Sequence, residues 1–180
     1  NLFPEFKDVS VDELVSMINK TECALIRTEA DELTYPLHIM VRYEIEKEIA
    51  KGNIDYDKLP ELWADKYEEY LGVRPANYKE GILQDMHWST GYLGYFPTYA
   101  LGSAYAAQLY ATMEKQFDVE EALLTNHFEK ITDWLKENVH HYAASKSMAE
   151  IVEEVSGEPF NPDYYTDYLI KKYKKLYNLD

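Results

Sequence analysis

Helix start and stop signals punctuate this chain from end to end, and no stretch between them alternates apolar and polar residues as a strand would. Ser10 and Glu13 form a capping box for a helix running to about Lys20. A long helix is predicted from about Glu22 to Lys51, closed by Gly52, with Ala30, Leu33, Leu37 and Met40 as its apolar stripe. Pro36 lies inside that helix, removes a donor to the Glu32 carbonyl and predicts a kink. Asp57 starts a helix to about Leu71, with Gly72 at its C-terminal stop. Residues 73–94 read as a loop with a short helical turn, and a helix with an internal Pro97 follows from about Tyr95 to Gln116. Asp118 caps a helix to about His140, Ser147 opens a short one ending before Gly157, and Asn161 with Pro162 starts the last, through about Tyr177. The fold class is all-α, as a single domain over residues 1–180.

Composition narrows the function. At 180 residues the chain is long enough for a real core, and its 46% apolar content argues against disorder. A net charge of −15 without a basic run leaves no electrostatic footprint for nucleic acid or anionic lipid. No apolar run approaches the roughly 20 residues that span a bilayer, and Asn1–Asp8 does not read as a signal peptide. The single cysteine, Cys23, excludes an intrachain disulfide and a cysteine-rich zinc module, and is expected in the core. A cytoplasmic location follows as the expectation. The 17 tyrosines suit either a packed core or a site that hydrogen-bonds a substrate.

Two constellations could carry chemistry. On the predicted long helix Arg27, Asp31, Thr34 and His38 share one face. That stripe is either a solvated face with weak ion pairs or, if it lines a cleft, a place where Arg27 clamps a carboxylate with two parallel hydrogen bonds. The second is His87 with Tyr92, Tyr95 and Tyr99, around Gly91 and Gly94. Imidazole and phenol can both donate to a developing oxyanion, but the same residues could equally be a tyrosine-rich packing corner. The remaining histidines, His127, His140 and His141, form no ligand pattern, and there is no phosphate loop, G-x-S-x-G or His-Glu-x-x-His.

Longer motifs bear on these alternatives. Ile26-Arg-Thr-Glu-Ala-Asp-Glu-Leu-Thr-Tyr35 with Pro-Leu-His38, and Gly81-x-x-Gln84-Asp85-x-His87-Trp88, resemble signatures of the thermostable (Taq-type) metallocarboxypeptidase family. So do Leu59-Pro-Glu-Leu-Trp63, Tyr70-Leu-Gly-Val-Arg-Pro75, Gly94-Tyr-Phe-Pro-x-Tyr99-x-Leu-Gly102 and Tyr105-Ala-Ala-Gln108. The likeness is tightest over residues 22–108. It implies the helical C-terminal portion of a zincin-like metallopeptidase that releases single residues from peptide C-termini. The family's divalent metal, zinc or cobalt, with its His-Glu-x-x-His and third glutamate ligand, would lie upstream, so no metal is expected on this chain and the chain alone is expected to be inactive.

By the same resemblance Arg27 matches the arginine that grips the substrate's terminal carboxylate. His87 and the tyrosines match the His–Tyr segment of related helical peptidases: in thimet-type oligopeptidases a His is followed five and twelve residues later by Tyr, the offsets of Tyr92 and Tyr99 from His87. His87 and Tyr99 are expected as transition-state donors and Tyr92 and Tyr95 as substrate contacts, although spacing alone leaves open which phenol reaches the oxyanion. Asp31 and His38 are expected to orient or support. The expected partners are a peptide C-terminus, the missing N-terminal part of the same enzyme and, through exposed apolar surface, further copies of the chain as a homo-oligomer. The competing reading is a non-catalytic helical module that binds peptides or partners. An acidic interaction domain unrelated to peptidases would make the motif matches accidental.

Overall fold

The computed structural model describes residues 3–180; Asn1 and Leu2, part of the Asn1–Asp8 segment read above, lie outside the described residues. Among the described residues there are eight α-helices joined by 3₁₀ turns, and no strand: α1 Val11–Ile18, α2 Tyr35–Lys51, α3 Leu59–Leu71, α4 Pro97–Glu114, α5 Val119–Leu124, α6 Phe128–Asn138, α7 Met148–Ser156 and α8 Asp163–Tyr177. The all-α expectation holds. By its internal contacts the chain divides into two compact units, Asn1–Ala100 and Leu101–Asp180.

In the first unit the capping box at Ser10 forms as read: Ser10 Oγ accepts the Glu13 N–H while the Glu13 carboxylate takes the Ser10 N–H. The predicted long helix does not form. Residues before α2 hold only a 3₁₀ turn, Arg27–Glu29, and α2 starts at Tyr35 with Pro36 in its first turn. Proline has no N–H to give and is tolerated where a helix begins, so Pro36 marks a start and not a kink. The Asp31 carboxylate organises the lead-in, accepting the N–H groups of Glu22, Leu33 and Thr34 and the Thr34 hydroxyl. Burial opposes its ionisation, yet these donors hold Asp31 below the usual aspartate value.

The buried face of α2 also differs from the predicted stripe. Leu33 and Met40 are exposed, whereas His38, Ile39, Val41, Arg42, Ile45 and Glu46 are buried. Val41 and Ile45 pack with Trp63, Tyr67 and Leu71 of α3 as the core of this unit, and the Trp63 and Tyr67 rings stack 5.3 Å apart. Gly52 and Gly72 end α2 and α3 in left-handed conformations, as their positions predict. Residues 73–94 carry two short 3₁₀ turns, and α4 begins at Pro97, again a start and not an interior proline. Cys23 is exposed, against the expectation of a core position, because it lies in the irregular segment where a helix had been predicted.

The second unit is centred on Leu109 and Met113 of α4, Val119 of α5, Trp134 of α6 and Val152 of α7. The single helix predicted from Asp118 to His140 is two, because Asn126 adopts a left-handed conformation (φ 60°) that short polar side chains tolerate. Gln108, fully buried, donates to Ser156 Oγ (3.0 Å) and the Pro159 carbonyl (3.2 Å) and accepts the Asn161 N–H (2.9 Å). It thereby pins the α7–α8 connection to α4. Ser147 and Gly157 bound α7 as read, while α8 starts one residue later than predicted, with Asn161 Oδ1 accepting the Asp163 N–H.

Candidate active site

Three segments far apart in the sequence bring charge together inside the first unit. Asp85, on the irregular stretch before α4, uses both carboxylate oxygens: Oδ1 accepts Arg27 Nε (3.1 Å) and Nη2 (2.7 Å), and Oδ2 accepts Arg42 Nε (2.7 Å). Arg42 Nη2 also lies 2.5 Å from Oδ2. Burial alone would raise the Asp85 pKa, but the hydrogen bonds from Arg27 and the charge of Arg42 outweigh it and hold the carboxyl below its ordinary value. Phe96 lies against both cations, its ring centre 5.6 Å from the Arg27 guanidinium carbon and 5.3 Å from that of Arg42. Arg42 also stands over Trp63 at 4.5 Å, so its charge rests on aromatic faces as well as on Asp85.

Arg42 fixes the state of its neighbours. Its Nη1 donates to the His38 carbonyl (2.7 Å) and to the Tyr67 hydroxyl (3.0 Å). An arginine only donates, so the Tyr67 oxygen accepts from it, and the phenol's own proton goes to His38 Nδ1 at 3.1 Å. That assigns His38 as the neutral tautomer with its proton on Nε2. Burial first, then the charges of Arg42 and Arg27, push the His38 pKa down to about 4, while burial keeps the Tyr67 phenol protonated by raising its pKa.

Next to this lattice, His87 Nε2 meets the Tyr99 hydroxyl at 3.1 Å, and His87 Nδ1 faces Asp85 Oδ1 at 3.9 Å. The carboxylate favours a proton on Nδ1, which leaves Nε2 to accept from Tyr99. Phe96 supports the imidazole from beneath, with ring centres 4.2 Å apart. Arg27 reaches the same place: its guanidinium carbon lies 5.2 Å from the Tyr99 ring centre, and Nη1 donates to the Tyr35 hydroxyl at 3.0 Å. Three of its five N–H groups are thus engaged, and the other two make no hydrogen bond among the described residues. Tyr92 and Tyr95 stand beside the pair with 60% and 46% of their surface exposed, Tyr95 ringed against both His87 (5.8 Å) and Tyr99 (5.5 Å).

The structure thus brings Arg27, His87, Tyr95 and Tyr99 together, with Tyr92 adjoining Tyr95 at 6.0 Å. They do not gather through a shared helix face, since Arg27 sits on a 3₁₀ turn and only His38 of the predicted stripe is on α2. Arg42, Asp85, Tyr67 and Phe96 were not singled out from the sequence. The available signal was Arg42 four residues after His38, which places both on one face of a helix.

The family described as Carboxypeptidase Taq (M32) metallopeptidase matches this chain over residues 1–173. The chain belongs to that family. It is similar to Carboxypeptidase 1 of Bacillus subtilis, at 48% identity over 176 residues, covering 97% of this chain and 35% of that protein. Thermostable carboxypeptidase 1 of Thermus thermophilus is 41% identical over 177 residues, 98% of this chain and 35% of its own length. Among solved structures, the M32 carboxypeptidase from Deinococcus radiodurans R1 matches with a TM-score of 0.93 at 35% identity, over 98% of this chain and 36% of that one. The chain therefore spans about 35% of the length of these M32 relatives.

Members of a metallopeptidase family need metal ligands, and the described residues do not gather them: no three His, Cys, Asp or Glu side chains come together as a metal site. The buried ring nitrogens without a partner, His38 Nε2 and His87 Nδ1, have no such set of ligands around them. The metal does not fit these residues. No helix among the described residues is long and apolar enough to cross a membrane.

Proposed function

We propose that this chain is the C-terminal, substrate-facing part of a metal-dependent carboxypeptidase that releases single residues from peptide C-termini, one all-helical domain of a longer cytoplasmic enzyme. The divalent metal, zinc or cobalt, and the general base belong to residues outside this chain, which by itself is inactive. The observation that carries the reading is the convergence of a half-committed arginine and a His–Tyr pair: the Arg27 guanidinium carbon lies 5.2 Å from the Tyr99 ring, and Tyr99 is bonded to His87.

In this reading the two free N–H groups of Arg27 grip the terminal carboxylate of the peptide. Asp85 and Tyr35 hold the guanidinium in place, so little ordering remains when the substrate arrives. The Tyr99 hydroxyl turns from His87 to the oxygen that gathers charge as the last peptide bond is attacked. His87 stands beside it as the second donor to that oxygen. Tyr92 and Tyr95 line the approach. The same reading assigns the N-terminal part of the enzyme as the partner of this chain. It also favours self-association, since α1 buries none of its residues and exposes Val11, Met17 and Ile18.

The test uses the full-length protein with paired peptides that end in a free carboxylate or an amide. The wild type is expected to prefer the free carboxylate. Arg27→Lys keeps the charge beside Asp85 but loses the planar fork, and should erase about 2 kcal/mol of that preference, roughly thirtyfold in kcat/KM. An unchanged preference in Arg27→Lys refutes the role of Arg27. Hydrolysis by the 180-residue chain alone would refute the division of labour.

A further inference from the structure

The two halves of the proposed site are held in different ways. His87 and Tyr99 rest on Phe96 and face the Asp85–arginine lattice, whereas Tyr92 sits on loop 88–94 and Tyr95 directly follows it. That loop has little packing of its own: Gly91 and Gly94 adopt φ of 83° and 79°, and Tyr92 and Leu93 are exposed. At its first residue the Trp88 indole packs edge-on against Trp63 (5.6 Å) and Phe96 (6.0 Å). Both ends of the loop then meet one atom. Glu46 Oε1, on α2, accepts the Trp88 indole N–H at 2.9 Å and the Gly94 backbone N–H at 3.0 Å.

Glu46 is only 7% exposed, and its other oxygen, Oε2, is buried with no hydrogen-bond partner. A carboxylate in that position is costly to bury, so what it does for its neighbours has to explain it. An apolar side chain would fill the space but take the shared acceptor away from both N–H groups.

We propose that Glu46 is a positioning residue: it closes loop 88–94 on a single carboxylate oxygen and so fixes where Tyr92 and Tyr95 meet a peptide. The role in substrate binding rests on the reading of those tyrosines as substrate contacts; the strap itself does not. Because the acceptor matters and not the charge, glutamine at this position serves as well as glutamate, its amide oxygen taking the same two N–H groups.

Two readouts separate the claims. In this chain, hydrogen exchange followed by NMR reports the Gly94 amide and the Trp88 indole N–H. Glu46→Leu is expected to speed exchange at both by about tenfold or more, while Glu46→Gln keeps the wild-type protection. In the full-length protein Glu46→Leu should raise KM about tenfold with kcat within about threefold, because His87 and Tyr99 have other supports, and Glu46→Gln should restore KM. Unchanged Gly94 protection in Glu46→Leu overturns the proposal, as does equal loss in the leucine and glutamine variants. Should Glu46→Leu fail to fold, Trp88→Phe decides: it keeps an aromatic ring in place and removes one of the two donors, and Gly94 protection must then fall for the strap to stand. Faster exchange with an unchanged KM keeps the strap and overturns the reading of Tyr92 and Tyr95.

Discussion

Replacing Asp85 by asparagine changes one oxygen to an amide and leaves the shape of the side chain intact. In the wild type the Asp85 side chain is 9% exposed, that of Arg27 10% and that of Arg42 0%, so none of the three charges has water to fall back on. Whichever way the new amide turns, its NH₂ group points at guanidinium N–H donors. Facing Arg42 it loses the 2.7 Å bond from Nε; facing Arg27 it loses bonds of 3.1 Å and 2.7 Å. One or two charge-assisted hydrogen bonds at about 1.5–3 kcal/mol each disappear, and two cations remain buried without a counter-charge. Breaking a buried pair by removing one partner destabilises by about 3–5 kcal/mol, and we expect about 4 kcal/mol here. Against a typical folding stability of about 5–15 kcal/mol, that is roughly a quarter to four-fifths of the margin.

The assay is urea denaturation followed by circular dichroism and by tryptophan fluorescence, with Trp63 and Trp88 reporting the first unit. The midpoint should fall sharply at an unchanged slope. A pH series adds an independent check. Asp85 is held below its ordinary pKa, so its contribution is fully present above the unfolded value of about 3.9 and is lost as the pH falls through the lower folded value. The asparagine variant should lack that acid limb. A loss below about 1 kcal/mol, with the acid limb retained, would refute the claim that one carboxylate neutralises both arginines in the interior.

Two further outcomes follow from buried groups outside the proposed chemistry. His38 has a folded pKa of about 4 against an unfolded value near 6.5, so stability is full above about pH 6.5 and declines as the pH falls toward 4. In His38→Gln that part of the slope should vanish, which denaturation midpoints at about pH 7, 5.5 and 4.5 will report. In the second unit Gln108→Leu removes three hydrogen bonds and strands the Asn161 N–H, so a loss of about 2–3 kcal/mol is expected, with faster hydrogen exchange at residues 157–162.

Elements bounded by local chemistry were legible in the sequence. The Ser10 and Ser147 caps and the stops at Gly52, Gly72 and Gly157 act over one turn, and each forms where its residues predicted. Pro36 and Pro97 were read as interior because the surrounding apolar spacing continues through them, although proline belongs by preference in a first turn. The break at Asn126 was missed because an asparagine ends a helix only when its backbone turns left-handed, and the sequence around it keeps helical periodicity. Within the site, Arg27, His87 and Tyr99 stand out by residue type and spacing, and the roles expected of them rest on motif resemblance. The contacts around them, Asp85 shared between two arginines and Glu46 bonded to Trp88 at the start of loop 88–94, are pairings 42 to 58 residues apart that no local pattern encodes.

The arginine–aspartate trio also constrains the order of folding. As the chain leaves the ribosome, Arg27 and Arg42 emerge well before Asp85, and for that interval two guanidiniums have no carboxylate to enter the interior with. Helix α2 can form early, but Arg42 cannot settle onto Trp63 until residue 85 arrives. Asp85 therefore couples the burial of Arg42 to that of Arg27, because neither guanidinium has its counter-charge until this one carboxylate is in place.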